Sequence, residues 1–204
     1  MVGLDIDGVL ADFLSPFLLV LENRIGRGPI PAESITDFQF TNHSFLTKEA
    51  VWDCMLEVSD DADFWRALSP LIRSEEWRDL EVLSQRGELV FVTNRFERNT
   101  YDIRAVTREW LQRHGITHPI VHFTQETKGD LVGELGIKLF MDDRHENCVD
   151  VANKTTAVVL MPHRSYNQSF DHPRVKRVWD FRELFSHLPN EAKRKGSGAI
   201  QKGS

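Results

Sequence analysis

Short apolar runs recur along the chain, and longer stretches with helical periodicity separate the later ones. The runs lie at 2–6, 88–93, 119–124, 137–142 and 156–161, and each is rich in Val, Ile, Leu and Phe. Their hydrophobicity is continuous rather than alternating, which is typical of strands that are covered on both faces. The pattern therefore predicts buried strands that belong to one sheet.

Helical patterns occupy the segments between these runs. They are predicted at 74–86, 99–114, 128–135 and 146–153. The helix at 99–114 carries Val106, Trp110 and Leu111 on one face and stops at Gly115, a residue that favours a helix end. Alternation of strands and helices predicts an α/β fold, in which a parallel sheet has helices on both sides.

The segment 15–70 departs from this alternation. It has helical stretches at 47–58 and 60–68 and no convincing strand, and we interpret it as a helical insertion between the first two strands. Most aromatic residues outside the strands lie here, and the simplest interpretation is that they form the insertion's own small core. The remaining residues, 1–14 and 71–188, would form the main domain. A tail at 189–204, rich in Lys, Gly and Ser towards its end, is expected to be disordered.

Composition and charge narrow the classes of function. The 204 residues are 41% hydrophobic and 27% charged, as in an ordinary globular domain. The net charge of −6 argues against binding to long nucleic acid, which normally requires a basic face. It is compatible with a small phosphorylated substrate, because a bound cation and a few local Lys or Arg residues can reverse the field inside one cleft.

Nothing in the sequence predicts a membrane segment or an oxidising location. The mostly apolar run at 13–21 is far shorter than the ~20 residues that span a bilayer. Acidic residues precede this run, where a signal peptide would carry basic ones. Cys54 and Cys148 provide neither a disulfide framework nor the spacing of metal ligands. We therefore expect a cytoplasmic protein.

Polar side chains follow the carboxyl ends of four predicted strands. The carboxyl ends of parallel strands meet at one edge of a sheet, so we expect these side chains to face one crevice. Each short motif alone could be a turn, a helix cap or a surface residue, but their shared position favours a common site. The residues are Asp5, Asp7 and Gly8 after the first strand, Thr93, Asn94 and Arg95 at the second, Lys128 after the third, and Asp142 and Asp143 after the fourth.

These residue types together suit phosphoryl transfer. Clustered carboxylates repel one another and need a cation to stay ionised, and Mg²⁺ prefers such oxygen ligands. One aspartate can then attack phosphorus and form an aspartyl-phosphate, while Thr and Lys hold the phosphate oxygens. A second aspartate two residues further on is placed to protonate the leaving oxygen and later to activate water.

The same motifs resemble those of haloacid-dehalogenase-like (HAD) phosphatases. They comprise residues 5–13, 91–95, Lys128 and 140–144, and the first and last are most similar to the 5′(3′)-deoxyribonucleotidase branch. Tyr166-Asn167, Arg174-Val175 and Trp179 are also similar to that branch, and the resemblance covers about residues 1–186. It implies a Rossmann-like three-layer core with a small helical cap after the first strand. It also implies Mg²⁺-dependent dephosphorylation of nucleoside 5′-monophosphates.

The resemblance implies roles for the aspartates. Asp5 would be the nucleophile and a metal ligand. Asp7 would be the general acid and base and would lend the metal its backbone carbonyl. Asp142 would be the third protein ligand of Mg²⁺, with Asp143 supporting it.

The resemblance also implies how the substrate is held. Thr93 and Asn94 would bind the phosphate, and Lys128 would fix both the nucleophile and the transferred group. Phe13 matches the ring that stacks on the nucleobase. Arg95 departs from the family, because Asn94-Arg95 stands where a small residue usually follows the threonine, so we expect altered phosphate or sugar contacts. Members of this branch are often dimers, which makes a homodimer a further expectation.

Two alternatives stay open on the sequence alone. The same chemistry could act on a sugar phosphate or on a 3′-phosphate at a nucleic-acid end, although the acidic charge speaks against a polymer. The fold could instead serve as a catalytically silent binding module, because fold does not determine function. The intact set of Asp5, Asp7, Thr93, Lys128 and Asp142 speaks against this second alternative.

Overall fold

A computed structural model of the chain describes residues 1–40, 42–98 and 100–188. The tail predicted at 189–204 lies outside these residues. The strands are β1 (Val2–Leu4), β2 (Ala11–Asp12), β3 (Ser69–Pro70), β4 (Leu89–Thr93), β5 (Val121–Phe123), β6 (Leu139–Met141), β7 (Val158–Pro162) and β8 (Val175–Val178). The helices are α1 (Leu14–Ile25), α2 (Lys48–Ser59), α3 (Ala62–Ala67), α4 (Ser74–Gln85), α5 (Ile103–Arg113), α6 (Gly129–Glu134), α7 (His145–Lys154) and α8 (Glu183–Ser186).

The main sheet has the strand order β5-β4-β1-β6-β7-β8, and every neighbouring pair is parallel. The central strand β1 pairs Val2 with Leu89 of β4 on one side and with Leu139 of β6 on the other. The carboxyl ends of β1, β4 and β6 are therefore neighbours at one edge. This topology confirms the predicted α/β fold and explains why residues from distant parts of the sequence meet.

Successive side chains of the strands point to opposite faces of the sheet, and a hydrophobic cluster covers each face. Phe91 of β4 packs in the cluster that contains Leu80 of α4 and Trp110 of α5. Val92, the next residue of β4, packs in the other cluster with Val132 of α6 and with α7. Helices thus cover both faces, as the continuous hydrophobicity of the strands predicts.

The segment between β2 and β3 forms a helical cap made of α1, α2 and α3. Its buried aromatic residues Phe17, Phe40 and Trp65 belong to the same hydrophobic cluster as Phe91 of the sheet. The expectation that the rings form a separate core of the insertion is therefore wrong for these residues. The cap and one face of the sheet share a core. The division into 1–14 with 71–188 and 15–70 stays a prediction.

Three strands differ from the sequence expectations, namely β2, β3 and β8. Ser69–Pro70 pairs antiparallel with Ala11–Asp12 where the chain enters and leaves the cap, although no strand was expected in 15–70. A strand of two residues is too short to show a periodicity. The edge strand β8 was not predicted either, because exposed Lys176 interrupts its apolar residues.

The helix at 99–114 begins later than predicted, at Ile103. The side chain of Asp102 accepts hydrogen bonds from the backbone N–H groups of Arg104 and Ala105 and so caps its first turn. Its other end agrees with the prediction, because Gly115 follows with a positive φ of 103°. Every helix among the described residues is too short or too polar to span a bilayer.

Candidate active site

The sheet edge brings the first and fourth motifs into direct contact. Asp5 follows β1, and its backbone N–H donates to the carbonyl of Met141 in β6 over 2.9 Å. Asp142 directly follows the same strand β6, and Thr93 is the last residue of β4. All three side chains are buried, and Thr93 and Asp142 are fully so.

Lys128 links these aspartates. It directly precedes α6, its side chain is fully buried, and its Nζ lies 2.9 Å from Asp5 Oδ2 and 2.7 Å from Asp142 Oδ2. Burial alone would lower the pKa of Lys128, but the charges of Asp142 and Asp5 outweigh this effect and raise that pKa above its ordinary value. Lys128 therefore stays an ammonium ion and holds two carboxylates together.

Asp142 is held from further directions. The backbone N–H of Arg144 donates to its Oδ1 over 2.8 Å, and the side-chain amide of Asn147 donates to its Oδ2 over 3.1 Å. Both carboxylate oxygens therefore have partners on the protein. The sequence reasoning missed Asn147, which lies in the first turn of α7 and on sequence grounds is an ordinary helix residue.

Asp5, Asp142 and Asp143 form an acidic cluster. One carboxylate oxygen from each of the three lies within 4.8 Å of the other two. Burial raises the pKa of Asp5 well above its ordinary value despite the opposing charge of Lys128. Burial, followed by the charge of Asp142, raises the pKa of Asp143 to about 7.

Three buried carboxyl groups thus lie together, and Lys128 contacts two of them, Asp5 and Asp142. A hard divalent cation such as Mg²⁺ prefers carboxylate oxygens as ligands, and this cluster offers one from each of three aspartates. The residues present therefore fit a divalent cation.

Gly8 allows the first motif to pass beside Asp143. Its φ is +75°, and a Cβ at this position would overlap Asp143 Oδ2 and lie 2.6 Å from the hydroxyl oxygen of Tyr166. That hydroxyl donates a hydrogen bond to Asp143 Oδ2, and the side-chain amide of Asn167 donates to the Asp143 carbonyl over 2.9 Å. The Tyr166-Asn167 pair noted in the sequence thus supports the acidic cluster.

Asp7 lies outside the acidic cluster and binds Arg95 instead. Arg95 donates from Nη2 to Asp7 Oδ1 over 2.7 Å and from Nε to Asp7 Oδ2 over 2.9 Å. Its Nη1 donates to the hydroxyl of Thr107 over 3.2 Å, and its Cζ lies 4.6 Å from the ring centroid of Trp65. We expected Arg95 to alter phosphate or sugar contacts, but the structure places its guanidinium on Asp7.

Asn94 also makes contacts that the sequence did not predict. Its side-chain nitrogen donates to the carbonyls of Thr124 and Glu126, both over 3.0 Å, and its side-chain oxygen accepts from Asn147. The amide therefore ties the end of β4 to the loop after β5. Its side-chain nitrogen and oxygen thus have partners on the protein, and the expected role of Asn94 in phosphate binding stays a prediction.

Phe13 directly precedes α1 and lies in a cluster of rings. Its ring stacks on Phe17 at 5.1 Å and on Trp65 at 5.7 Å, and it meets Phe64 edge-on at 5.8 Å. Trp65 also contacts Arg95, so the ring cluster of Phe13, Phe17, Phe64 and Trp65 reaches the residue that binds Asp7.

The fold of the chain is that of the HAD class of hydrolases. A solved structure described as a HAD-superfamily hydrolase of subfamily IA, variant 1, from Geobacter sulfurreducens superposes with a TM-score of 0.53. The two are 20% identical, and the match covers 92% of this chain and 98% of that one. This likeness establishes the fold.

Within that class, a family model described as "5' nucleotidase, deoxy (Pyrimidine), cytosolic type C protein" matches residues 1–188, and the chain belongs to this family. It is 26% identical to "Putative nucleotidase YqfW" of Bacillus subtilis, over 92% of this chain and 93% of that protein. It is 25% identical to "Putative nucleotidase BH1399" of Halalkalibacterium halodurans, over 95% of each. The resemblance inferred from the four motifs is confirmed, and the chain is a phosphoric monoester hydrolase of the nucleotidase type.

Proposed function

We propose that this protein is a Mg²⁺-dependent phosphatase of nucleoside 5′-monophosphates, with deoxyribonucleotides among its substrates, that works through an aspartyl-phosphate on Asp5. One observation carries the proposal. A buried lysine joins Asp5 and Asp142 at the edge of the sheet, and Asp7 follows two residues after Asp5. The description of the family, which names a deoxy 5′-nucleotidase, supports the substrate class.

The acidic cluster would hold the cation. Asp5, Asp142 and Asp143 would supply carboxylate oxygens, and Asp7 would supply its backbone carbonyl. When bound, Mg²⁺ would reduce the negative charge at the phosphate and allow the carboxylate of Asp5 to approach it. The excess of carboxylates over the single ammonium of Lys128 supports this assignment.

The first chemical step forms a covalent bond between Asp5 and phosphorus. A carboxylate oxygen of Asp5 attacks, the bond from phosphorus to the nucleoside oxygen breaks, and the protonated carboxyl group of Asp7 gives its proton to that oxygen. Lys128 and Thr93 hold the phosphate oxygens as charge redistributes. Transfer of this kind depends mostly on positioning and electrostatics, which agrees with the number of contacts that hold Lys128 and Asp142.

The second step releases the phosphate. Asp7, now a carboxylate, accepts a proton from a water molecule whose oxygen attacks phosphorus. The bond between phosphorus and Asp5 breaks, which restores the carboxylate of Asp5 and frees inorganic phosphate. Asp7 has a side chain that is 23% exposed, which lets it exchange protons with bound water and substrate.

The nucleobase would bind to the ring cluster. Phe13 and Phe64 are half-buried there, whereas Phe17 and Trp65 stack on the ring of Phe13. A base that stacks on an aromatic ring of the cluster would gain about 1–3 kcal/mol. The ring cluster reaches the Arg95–Asp7 pair through Trp65, so a base bound there would lie near the acid–base residue. This arrangement supports a phosphate ester with an aromatic group over a small sugar phosphate.

A phosphate-release screen tests the proposal. Nucleoside and deoxynucleoside 5′-monophosphates, 3′-phosphates, sugar phosphates and an aryl phosphate are compared with Mg²⁺ and with EDTA, and Asp5→Asn serves as the inactive control. We expect the highest kcat/KM for 5′-nucleotides and no release in EDTA. A preference for sugar phosphates would overturn the substrate class, and no release from any substrate would leave a binding module. Homodimer formation and a cytoplasmic location stay predictions, and sedimentation velocity tests the former.

A further inference from the structure

Arg95 is the most completely enclosed arginine around the site. Its side chain is 1% exposed, yet it carries a charge and sits directly on the residue to which the proposed function gives the proton transfers. Three of its nitrogens have side-chain partners, two on Asp7 and one on Thr107. The indole ring of Trp65 lies against the guanidinium.

The geometry of the contact constrains Asp7. Nε and Nη2 of one rigid guanidinium donate to the two different oxygens of the carboxylate. Such a fork-to-fork contact fixes the plane of the carboxyl group, which a single lysine ammonium cannot do. Each of the two oxygens keeps a second lone pair, which can carry the proton that Asp7 gives or takes. Rotation of the Asp7 carboxyl group would break one or both hydrogen bonds to Arg95. A general acid and base has to lie within hydrogen-bonding reach of the atom it serves, so the orientation of its carboxyl group matters for the rate.

The position of Arg95 is itself determined by both parts of the molecule. Thr107 lies in α5 of the main domain and is fully buried. Trp65 lies in α3 of the cap and stacks on Phe13. The orientation of Asp7 therefore depends on a chain of contacts that begins in the ring cluster and passes through Arg95.

We propose that Arg95 is a positioning residue, which holds the Asp7 carboxyl group in the orientation for proton transfer to the leaving oxygen and from the attacking water. This inference rests on the proposed function. It assigns Arg95 to the acid–base step and not to phosphate binding, so loss of the guanidinium should reduce kcat where a proton must move and should change KM little.

Two substrates separate this role from a general loss of structure. The leaving group of p-nitrophenyl phosphate departs without a proton, whereas that of phenyl phosphate benefits from one. Arg95→Met removes the fork and keeps an unbranched side chain against Trp65, and Arg95→Lys keeps the charge. General acid–base help is worth about 10²–10⁴-fold. We therefore expect Arg95→Met to lower kcat for phenyl phosphate roughly 10-fold more than it lowers the rate of the initial burst of p-nitrophenol, which reports the first step with p-nitrophenyl phosphate. Arg95→Lys should recover part of that difference.

A matched control is available in the same loop. Arg98 binds Asp60 of the cap through Nε and Nη2, both over 2.8 Å, and so makes the same type of contact away from the site. Arg98→Met should leave the ratio between the two substrates unchanged. Thermal unfolding checks each variant, and if Arg95→Met does not fold, Arg95→Lys decides by the same ratio.

The outcomes separate this inference from the proposed function. If wild-type protein releases no phosphate from either substrate with Mg²⁺, the proposed function fails. If wild-type protein is active and the folded Arg95 variants lower both rates by the same factor, or raise KM alone, the positioning role is overturned. A selective loss with phenyl phosphate, absent from Arg98→Met, supports it.

Discussion

Replacement of Gly8 by alanine should disrupt the acidic cluster from the backbone side. Gly8 has a φ of +75°, and the added Cβ would overlap Asp143 Oδ2 and lie 2.6 Å from the Tyr166 hydroxyl oxygen. Asp143 cannot move away freely, because Tyr166 donates to the same oxygen and Asn167 holds the carbonyl of the residue. The substitution therefore forces either the first motif or Asp143 out of position.

Two separate effects determine how much stability Gly8→Ala removes. The left-handed conformation costs an alanine about 1–2 kcal/mol. Displacement of Asp143 breaks its hydrogen bond to Tyr166 and leaves buried polar groups without partners, at about 1–3 kcal/mol. We therefore expect Gly8→Ala to lower the free energy of unfolding by roughly 2–5 kcal/mol and to weaken Mg²⁺ binding at least about 10-fold, since one of the proposed cation ligands is displaced.

Gly26→Ala provides the matched control. Gly26 has a similar φ of +64° at the end of α1, and a Cβ there would meet no atom within 4 Å. Gly26→Ala should lower the free energy of unfolding by about 1–2 kcal/mol through backbone strain alone and leave the affinity for Mg²⁺ unchanged. Urea unfolding and titration calorimetry measure both quantities. Equal losses of stability in the two variants, with unchanged Mg²⁺ affinity in Gly8→Ala, would refute the close packing of Gly8 against Asp143.

Three further predictions address the ring cluster, the buried lysine and pH. Phe13→Ala should raise KM for a nucleotide about 10-fold and barely change KM for phenyl phosphate, because base stacking is worth about 1–3 kcal/mol. Equal changes of KM for the two substrates in steady-state assays would make Phe13 a packing residue. Lys128→Met should lower the free energy of unfolding in EDTA by about 3–5 kcal/mol, since it leaves buried carboxylates without their counterion. Lys154→Met, which removes solvent-screened ion pairs to Asp130 and Asp150, should lower it far less, and urea unfolding curves of the two variants decide this. Burial gives the carboxyl group of Asp143 a higher pKa in the folded than in the unfolded state. Its contribution to the stability of the metal-free protein should therefore be lost as pH rises through about 7. Asp143→Asn should remove this pH dependence, as measured by urea unfolding from about pH 5 to 8.

The sheet and the acidic cluster were predictable because the topology determines where strand ends lie. The apolar runs before Asp5 and Asp142 both have the pattern of buried strands, and parallel neighbouring strands end at the same edge of the sheet. Lys128 could be placed there because it precedes a helix that follows a strand of the same sheet. The strand–helix pattern was therefore sufficient for these three residues.

Contacts between side chains could not be predicted in the same way. Arg95 and Asp7 are 88 residues apart, and nothing in their local sequences shows that one guanidinium reaches the other residue's carboxylate. The same holds for the amide of Asn94, which contacts the loop after β5. Strand β8 was missed for a different reason, since its position at the edge of the sheet leaves Lys176 exposed and breaks the apolar run.

The covalent role of Asp5 is tested most directly by trapping the intermediate. Asp7→Asn is mixed with p-nitrophenyl phosphate and Mg²⁺, quenched in acid and digested, and the peptides are weighed by mass spectrometry, with Asp5→Asn treated in parallel. Because the leaving group needs no proton and hydrolysis lacks its base, we predict close to one phosphoryl group per chain on the peptide that carries Asp5, and none in Asp5→Asn. A phosphoryl group on another residue, or activity in Asp5→Asn without a trapped intermediate, would contradict the account.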